Sequence, residues 1–303
     1  VSVRFLTMMV VVDRSGSVVR GGNQSVVESA LTQFIGTQGS SPFVDGRDVI
    51  GLGSFGATWH TDLAPSTAFR TGTPSFNTAV STILDPEFGN NPTNTAEGLY
   101  QAYSTLQGLN QTGALNVIVL LTDGRPSAFT ATYSIKSTSP CTDKTSKTGV
   151  ITANVASDSS WPPPTCQGCA QGTGGNIYNM GIVQPTFTSM SGGSDMQIIA
   201  TGAGGNPAGC AFASGYTNIP TDVLSFPGAD IHGNDLTSGY YLAPGSSMSD
   251  PQSLRYSSFN AAFNQAKTIR LNTTLRPVLF VIGLNEPPAG GEPLDADYLA
   301  TLA

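Results

Sequence analysis

The fold is decided by the stretch Val3-Arg-Phe-Leu-Thr-Met-Met-Val-Val-Val-Asp13, which is almost continuously apolar and ends in a carboxylate. Such a run is typical of a strand buried on both faces of a parallel sheet. The stretches Leu115–Leu121 and Pro277–Gly283 have the same character. Three strands of this kind, separated by long connections, predict an α/β core.

Segments with helical spacing of apolar residues lie between these strands. Thr95–Leu109 is the clearest, with Leu99, Ala102 and Leu106 on one side. Because strands alternate with helices, the connections are crossovers, and we predict a doubly wound, mostly parallel sheet flanked by helices. The other predicted elements are a strand at Val49–Phe55, a possible edge strand at Thr58–Phe69, and helices at 22–36, 74–84, 254–274 and 294–303.

The middle of the chain has a different composition. Gly, Ser, Thr and Pro dominate there, and no Glu occurs between Glu97 and Glu286. Surface helices are therefore poorly supported, and we predict a long insertion of loops and short strands at 126–251. The α/β domain is then expected to comprise 1–125 and 252–303.

All four cysteines lie in this insertion. Cys166 and Cys169 have the spacing of zinc ligands, and His232 is the nearest histidine. Cys141 and Cys210 are each isolated, however, so no second close ligand pair exists. We expect disulfides, whose pairing the sequence leaves open, in a protein that works outside the cytoplasm.

The charge balance excludes some classes of function. Only 11% of the residues are charged and the net charge is −7, which argues against a nucleic-acid surface. No apolar run is long enough to span a bilayer. The first residues favour a strand over a signal peptide, so an export or anchor segment could have been removed.

The candidate functional residues lie where the apolar strands end. Asp13 and Asp123 each follow such a strand, and ligands of open parallel sheets bind at the carboxyl ends of the strands. If the strands are neighbours, the two carboxylates converge, and a cation or a shared proton must compensate their charge. Ser15, Ser17 and Thr93 offer hydroxyls nearby. An all-oxygen set of this kind suits Mg²⁺.

Together, Asp13-x-Ser15-x-Ser17, Thr93 and the strand-ending Thr-Asp123-Gly resemble the metal-ion-dependent adhesion site (MIDAS) of von Willebrand factor type A (vWA) domains. The resemblance implies that Ser15, Ser17 and Thr93 coordinate Mg²⁺, or Ca²⁺ or Mn²⁺, through their hydroxyls. It implies that Asp13 acts through water and Asp123 directly or through water. The vacant metal position would then take a carboxylate from an acidic side chain of a partner protein.

A narrower resemblance concerns bacterial tight-adherence (Tad) pilus-assembly proteins that carry this domain. It rests on Asp-Arg-Ser-Gly-Ser at 13–17, the cysteine-bearing insertion after Thr-Asp-Gly-Arg-Pro, and the ending Phe-Val-Ile-Gly-Leu. We therefore expect an extracellular, metal-dependent adhesion domain of a surface or pilus assembly, not an enzyme. The alternatives are a structural subunit whose metal only stabilises the fold, and a metal-assisted hydrolase, for which no general base is evident.

Simpler interpretations apply to single residues. An isolated Asp-x-Ser-x-Ser is more often a helix-capping turn than a metal site, although here three separate elements agree. We expect Thr95 to cap the following helix, although Thr93 and Thr95 could exchange roles. Arg14 is expected to face solvent or pair with an acidic residue, and His60 to be solvated or structural.

Overall fold

The computed structural model describes residues 5–15, 18, 24–36, 41–83, 93–123, 125–133, 147–153, 180–183, 226–241, 251–284 and 294–303. The chain divides into two compact units, the first formed by Val1–Arg125 with Gln265–Ala303 and the second by Pro126–Asn264. No helix in the described ranges has the length and hydropathy needed to cross a membrane.

Eight strands and five helices are described, and they are numbered here in chain order. The strands are β1 (Leu6–Asp13), β2 (Val49–Phe55), β3 (Trp59–Ser66), β4 (Leu115–Thr122), β5 (Ala128–Tyr133), β6 (Lys147–Ala153), β7 (Met180–Val183) and β8 (Val278–Gly283). The helices are α1 (Gln24–Ile35), α2 (Phe76–Ile83), α3 (Thr95–Leu109), α4 (Pro251–Arg270) and α5 (Ala296–Leu302).

The first unit is built on a five-stranded sheet with the order β3-β2-β1-β4-β8. Strand β1 pairs in parallel with β2 and with β4, and β4 pairs in parallel with β8. Strand β3 is antiparallel to β2 and forms the edge, as the sequence indicated for this stretch. The predicted doubly wound, mostly parallel sheet is thereby confirmed.

The core of this unit lies on both sides of the sheet. On one face, Val10 and Val12 of β1 belong to a buried cluster with Leu31 of α1 and Val80 of α2. On the other face, helix α3 packs on β1 and β2. Its approach is close because Gly98 has no side chain, and a Cβ there would lie 2.6 Å from the Phe55 ring.

Helix α4 ends earlier than the apolar spacing predicts. The helix stops at Arg270 rather than at residue 274. The Asn272 side-chain oxygen accepts the N–H groups of Thr274 and Leu275 at 3.0 and 2.8 Å. An asparagine that bonds the backbone just ahead of it favours a turn over further helix, and this turn leads the chain into β8.

The second unit contains an antiparallel three-stranded sheet with the order β5-β6-β7. A tight turn follows near residues 228–236, where Asp230 accepts hydrogen bonds from the backbone of His232 and Asn234. His232 itself is partly exposed. The four cysteines lie outside the described residues, so their oxidation state stays a prediction.

Candidate metal centre

The two aspartates singled out from the sequence lie on adjacent strands of the first unit. Asp13 ends β1, and Asp123 follows β4 directly. The register pairs Val12 with Leu121, which places Asp13 level with Thr122. Both aspartates are buried, with exposed fractions of 0% and 7%. The parallel pairing therefore brings both carboxylates to one edge of the sheet, as the motif predicts.

The Asp13 carboxylate is held by the residues around it. Its Oδ1 accepts the Ser15 N–H at 2.8 Å, and its Oδ2 accepts the Thr122 hydroxyl at 2.6 Å. The Asp123 carboxyl group lies within reach of a hydrogen bond to it. Burial raises the pKa of Asp13 above its ordinary value, and these hydrogen bonds offset only part of that rise.

Contact between two carboxyl groups has a clear chemical meaning. Asp13 and Asp123 can hydrogen-bond to each other only when they share a proton, because two carboxylates repel. A divalent cation would supply the same compensation. The arrangement of the two acids thus fits either a shared proton or a metal ion.

Thr93 lies in the loop before α3, and hydrogen bonds tie this loop to the segment that follows β2, at the same edge of the sheet. The Arg14 N–H donates to the Phe55 carbonyl, and the Asn94 N–H donates to the next carbonyl, that of Gly56, both at 2.9 Å. The Asn94 side-chain amide also donates to the Ala57 carbonyl at 3.0 Å. Phe55 and Gly56 are consecutive residues, and successive Cα atoms are about 3.8 Å apart. The loop that follows β1 and the loop that precedes α3 are therefore anchored side by side.

The structure therefore gathers four of the five predicted site residues, Asp13, Ser15, Thr93 and Asp123, at the carboxyl edge of β1 and β4. Ser17 lies outside the described residues. Their roles as metal ligands stay a prediction. The donors are carboxylate and hydroxyl oxygens, which is the chemistry that Mg²⁺ prefers. No group of three or more His, Cys, Asp or Glu side chains forms a metal cluster within the described ranges, so a cation here would depend on the hydroxyls.

The structure corrects one expectation about neighbouring residues and one of the two alternatives for another. The N-cap of α3 is Asn94, whose side chain accepts the Glu97 N–H, and Thr95 is the first helical residue. Asparagine and threonine are both good N-cap residues. The backbone bond from Asn94 to Gly56 fixes Asn94 at the position just before the helix, so Asn94 is the cap. Arg14 does not face solvent, since it is 2% exposed, and its backbone N–H donates to the Phe55 carbonyl at the end of β2. The alternative expectation, that Arg14 pairs with an acidic residue, stays a prediction.

One residue of the site was missed by reasoning from sequence. Thr122 ends an otherwise apolar strand, and its hydroxyl donates to Asp13 across the sheet. A polar residue at the last position of a buried strand is a usable signal, but its partner lies 109 positions away in the sequence. Only the register of β1 and β4 reveals the pair.

The match of a family model identifies the family of this chain. The model of the von Willebrand factor type A domain matches residues 8–179, more than half of the chain, so the chain belongs to this family. The predicted resemblance to von Willebrand factor type A domains is thereby confirmed.

Solved structures similar to this chain share little sequence with it. The pilus adhesin SpaC from Lactobacillus rhamnosus GG, in its open conformation, is 14% identical with a TM-score of 0.46, and the match covers 100% of this chain and 27% of SpaC. A mutant of the PilB minor pilin from Streptococcus sanguinis is 16% identical with a TM-score of 0.41, and the match covers 99% of this chain and 54% of the pilin chain. The vWF domain of the type V pili tip protein Mfa5 from Porphyromonas gingivalis is 14% identical with a TM-score of 0.41, and the match covers 99% of this chain and 86% of the Mfa5 chain. The chain thus spans about a quarter of the length of SpaC. No curated protein matches its sequence.

Proposed function

We propose that this chain is a metal-dependent protein-binding domain, in which Mg²⁺ is held by Asp13, Ser15, Ser17, Thr93 and Asp123. One observation carries the proposal: two buried carboxylates meet at the carboxyl edge of adjacent strands, next to hydroxyl groups. Such a pair is costly to bury unless a positive charge or a proton lies between the two groups.

Each residue has a defined task in this proposal. Asp123 and Asp13 supply the negative charge that attracts the cation, and Ser15, Ser17 and Thr93 supply neutral oxygens. The bonds from Thr122 and from the Ser15 backbone fix the orientation of Asp13. When bound, the cation would offer a positive charge to an anionic group. The expected partner is therefore a protein that presents an acidic side chain.

The setting we propose is the cell surface, as part of a bacterial surface or pilus assembly. The support is the resemblance of the motifs and of the insertion to Tad pilus-assembly proteins. The low fraction of charged residues, 11%, and the cysteines gathered in one segment agree with an exported protein.

Partner capture from the native cell surface tests this proposal. The chain is immobilised and bound proteins are compared with Mg²⁺ and with EDTA, for wild type and for Asp123→Ala. Asp297→Ala is the matched control, since it removes an equally charged but exposed aspartate from α5. We expect capture with Mg²⁺ for wild type and the control, and loss of capture with EDTA or in Asp123→Ala.

The fold of the Asp123 variant is checked separately. Asp123 lies beside Asp13, so its removal relieves the repulsion between the two groups wherever both are ionised. The thermal midpoint without metal should therefore hold or rise. Capture that is insensitive to EDTA would favour the structural subunit, and turnover of a chromogenic ester or phosphate would favour the hydrolase.

A further inference from the structure

Thr95 has a buried hydroxyl that neither the fold nor the proposed ligand set uses. The residue is 1% exposed, and its Oγ1 has no hydrogen-bond partner among the described residues. Burying a hydroxyl without a partner is unfavourable, so native structures rarely leave one unused. Thr7 in β1 shares this feature, so what distinguishes Thr95 is its place two residues after Thr93.

Helix formation does not explain this hydroxyl. Asn94 already caps α3 by accepting the Glu97 N–H. A threonine inside a helix commonly donates to the carbonyl of the preceding turn. Thr95 opens α3, so no earlier helical turn offers it that carbonyl.

The position of Thr95 directs its side chain towards the candidate metal centre. In a helix, each Cα–Cβ bond tilts towards the amino end, which for Thr95 is the loop with Thr93 and Asn94. Thr95 also shares a buried stripe with Leu99 and Ala102 on the helix, which packs on β1 and β2. The hydroxyl is therefore expected at the amino end of the buried side of the helix, beside the loop that carries Thr93.

We infer that Thr95 is a positioning residue of the metal site, where its hydroxyl holds a water molecule of the cation's hydration shell. The inference rests on the proposed function. Mg²⁺ loses its water reluctantly and keeps several water molecules in protein sites. Groups that orient the first ligands typically change metal affinity by about tenfold or more when they are removed. Thr93 stays the direct ligand, and Thr95 orders the water beside it.

The test compares Asp123→Ala and three further substitutions with wild type, by isothermal titration with Mg²⁺ and by urea unfolding without metal. Thr95→Val removes the hydroxyl and keeps the shape, whereas Thr95→Ser keeps the hydroxyl. Thr7→Val is the matched control, because Thr7 in β1 also has a buried hydroxyl without a partner in the described residues. It lies six residues before Asp13, which is about 20 Å along a strand.

We expect Thr95→Val to bind Mg²⁺ about tenfold more weakly, while its urea midpoint without metal holds or rises. Thr95→Ser should bind like wild type. Thr7→Val should hold or raise the midpoint without changing the affinity for Mg²⁺.

Wild-type affinity in Thr95→Val would overturn the inference, and so would a loss of stability without metal that accounts for the weaker binding. The proposed function fails in a different way. If wild type does not bind Mg²⁺, or if Asp123→Ala binds it equally well, the metal site and the role of Thr95 are both refuted. If only Asp123→Ala loses Mg²⁺, the site stands and Thr95 is not part of it.

Discussion

Replacing Thr122 by valine removes one hydroxyl and keeps the shape of the side chain. That hydroxyl donates to Asp13 Oδ2 at 2.6 Å, and the two residues are 1% and 0% exposed, so water cannot replace the bond. Hydrogen bonds to charged groups contribute about 1.5–3 kcal/mol net. We therefore expect Thr122→Val to lower the free energy of unfolding of the first unit by about 1.5–3 kcal/mol near neutral pH.

The assay is thermal and urea unfolding of the metal-free chain. For a folding unit of 150–250 residues, 1 kcal/mol corresponds to roughly 2–4 °C, so the midpoint should fall by about 3–12 °C. Thr122→Ser, which retains the hydroxyl, should recover most of the loss. Thr7→Val makes the same chemical change where no hydrogen bond to a described residue is lost, and it should not destabilise. If Thr122→Val and Thr7→Val unfold at the same midpoint as wild type, the bond to Asp13 does not contribute to stability.

Three other substitutions probe the same unit. Arg70→Ala should cost about 3–5 kcal/mol in urea unfolding, because Arg70 donates to Asp45 and to three backbone carbonyls from a buried position, and Arg70→Lys should recover only part of it. Burial disfavours the charge of Asp48, but hydrogen bonds from a neighbouring arginine and two backbone N–H groups outweigh it and hold the Asp48 pKa below its ordinary value. Its contribution to stability is therefore present above about pH 4 and is lost as the pH falls through the lower folded-state pKa, so the pH dependence of the urea midpoint between about pH 5 and 2 should flatten in Asp48→Asn. Gly98→Ala should destabilise by about 1–3 kcal/mol despite its better helix propensity, because the new Cβ would overlap the buried Phe55 ring, and a variant as stable as wild type would show that the ring moves aside.

The sequence predicted those elements whose apolar pattern is set locally. The bounds predicted for the strand at Val49–Phe55 and the helix at Thr95–Leu109 agree with the structure, since the strand is buried along almost its whole length and the helix has one buried side. Strands β5 to β7 were not located individually, because small polar residues provide little alternation there. The predicted short strand at Gln197–Thr201 lies outside the described residues.

For the candidate metal centre, too, some features could be predicted from the sequence and others could not. Asp13 and Asp123 could be placed at one edge because strand polarity alone decides it. The burial of Arg14 could not be predicted, because tertiary packing decides it: even its backbone N–H bonds to Phe55, about 40 residues further along the chain. The same holds for the bond between Thr122 and Asp13, which depends on strand register.

The order of strands also has a consequence for how the molecule assembles. Strands β4 and β8 are neighbours in the sheet, yet Thr122 and Val278 are separated by roughly 150 residues that include the whole second unit. During synthesis, β4 therefore emerges long before the strand that covers its outer edge, and an uncovered edge invites pairing with other chains. If Pro126–Asn264 folds first, the flexible part of this connection becomes shorter and the entropic cost of closing the sheet falls. Substitutions in the second unit can thus cause aggregation during biogenesis even when they leave the stability of the finished sheet unchanged.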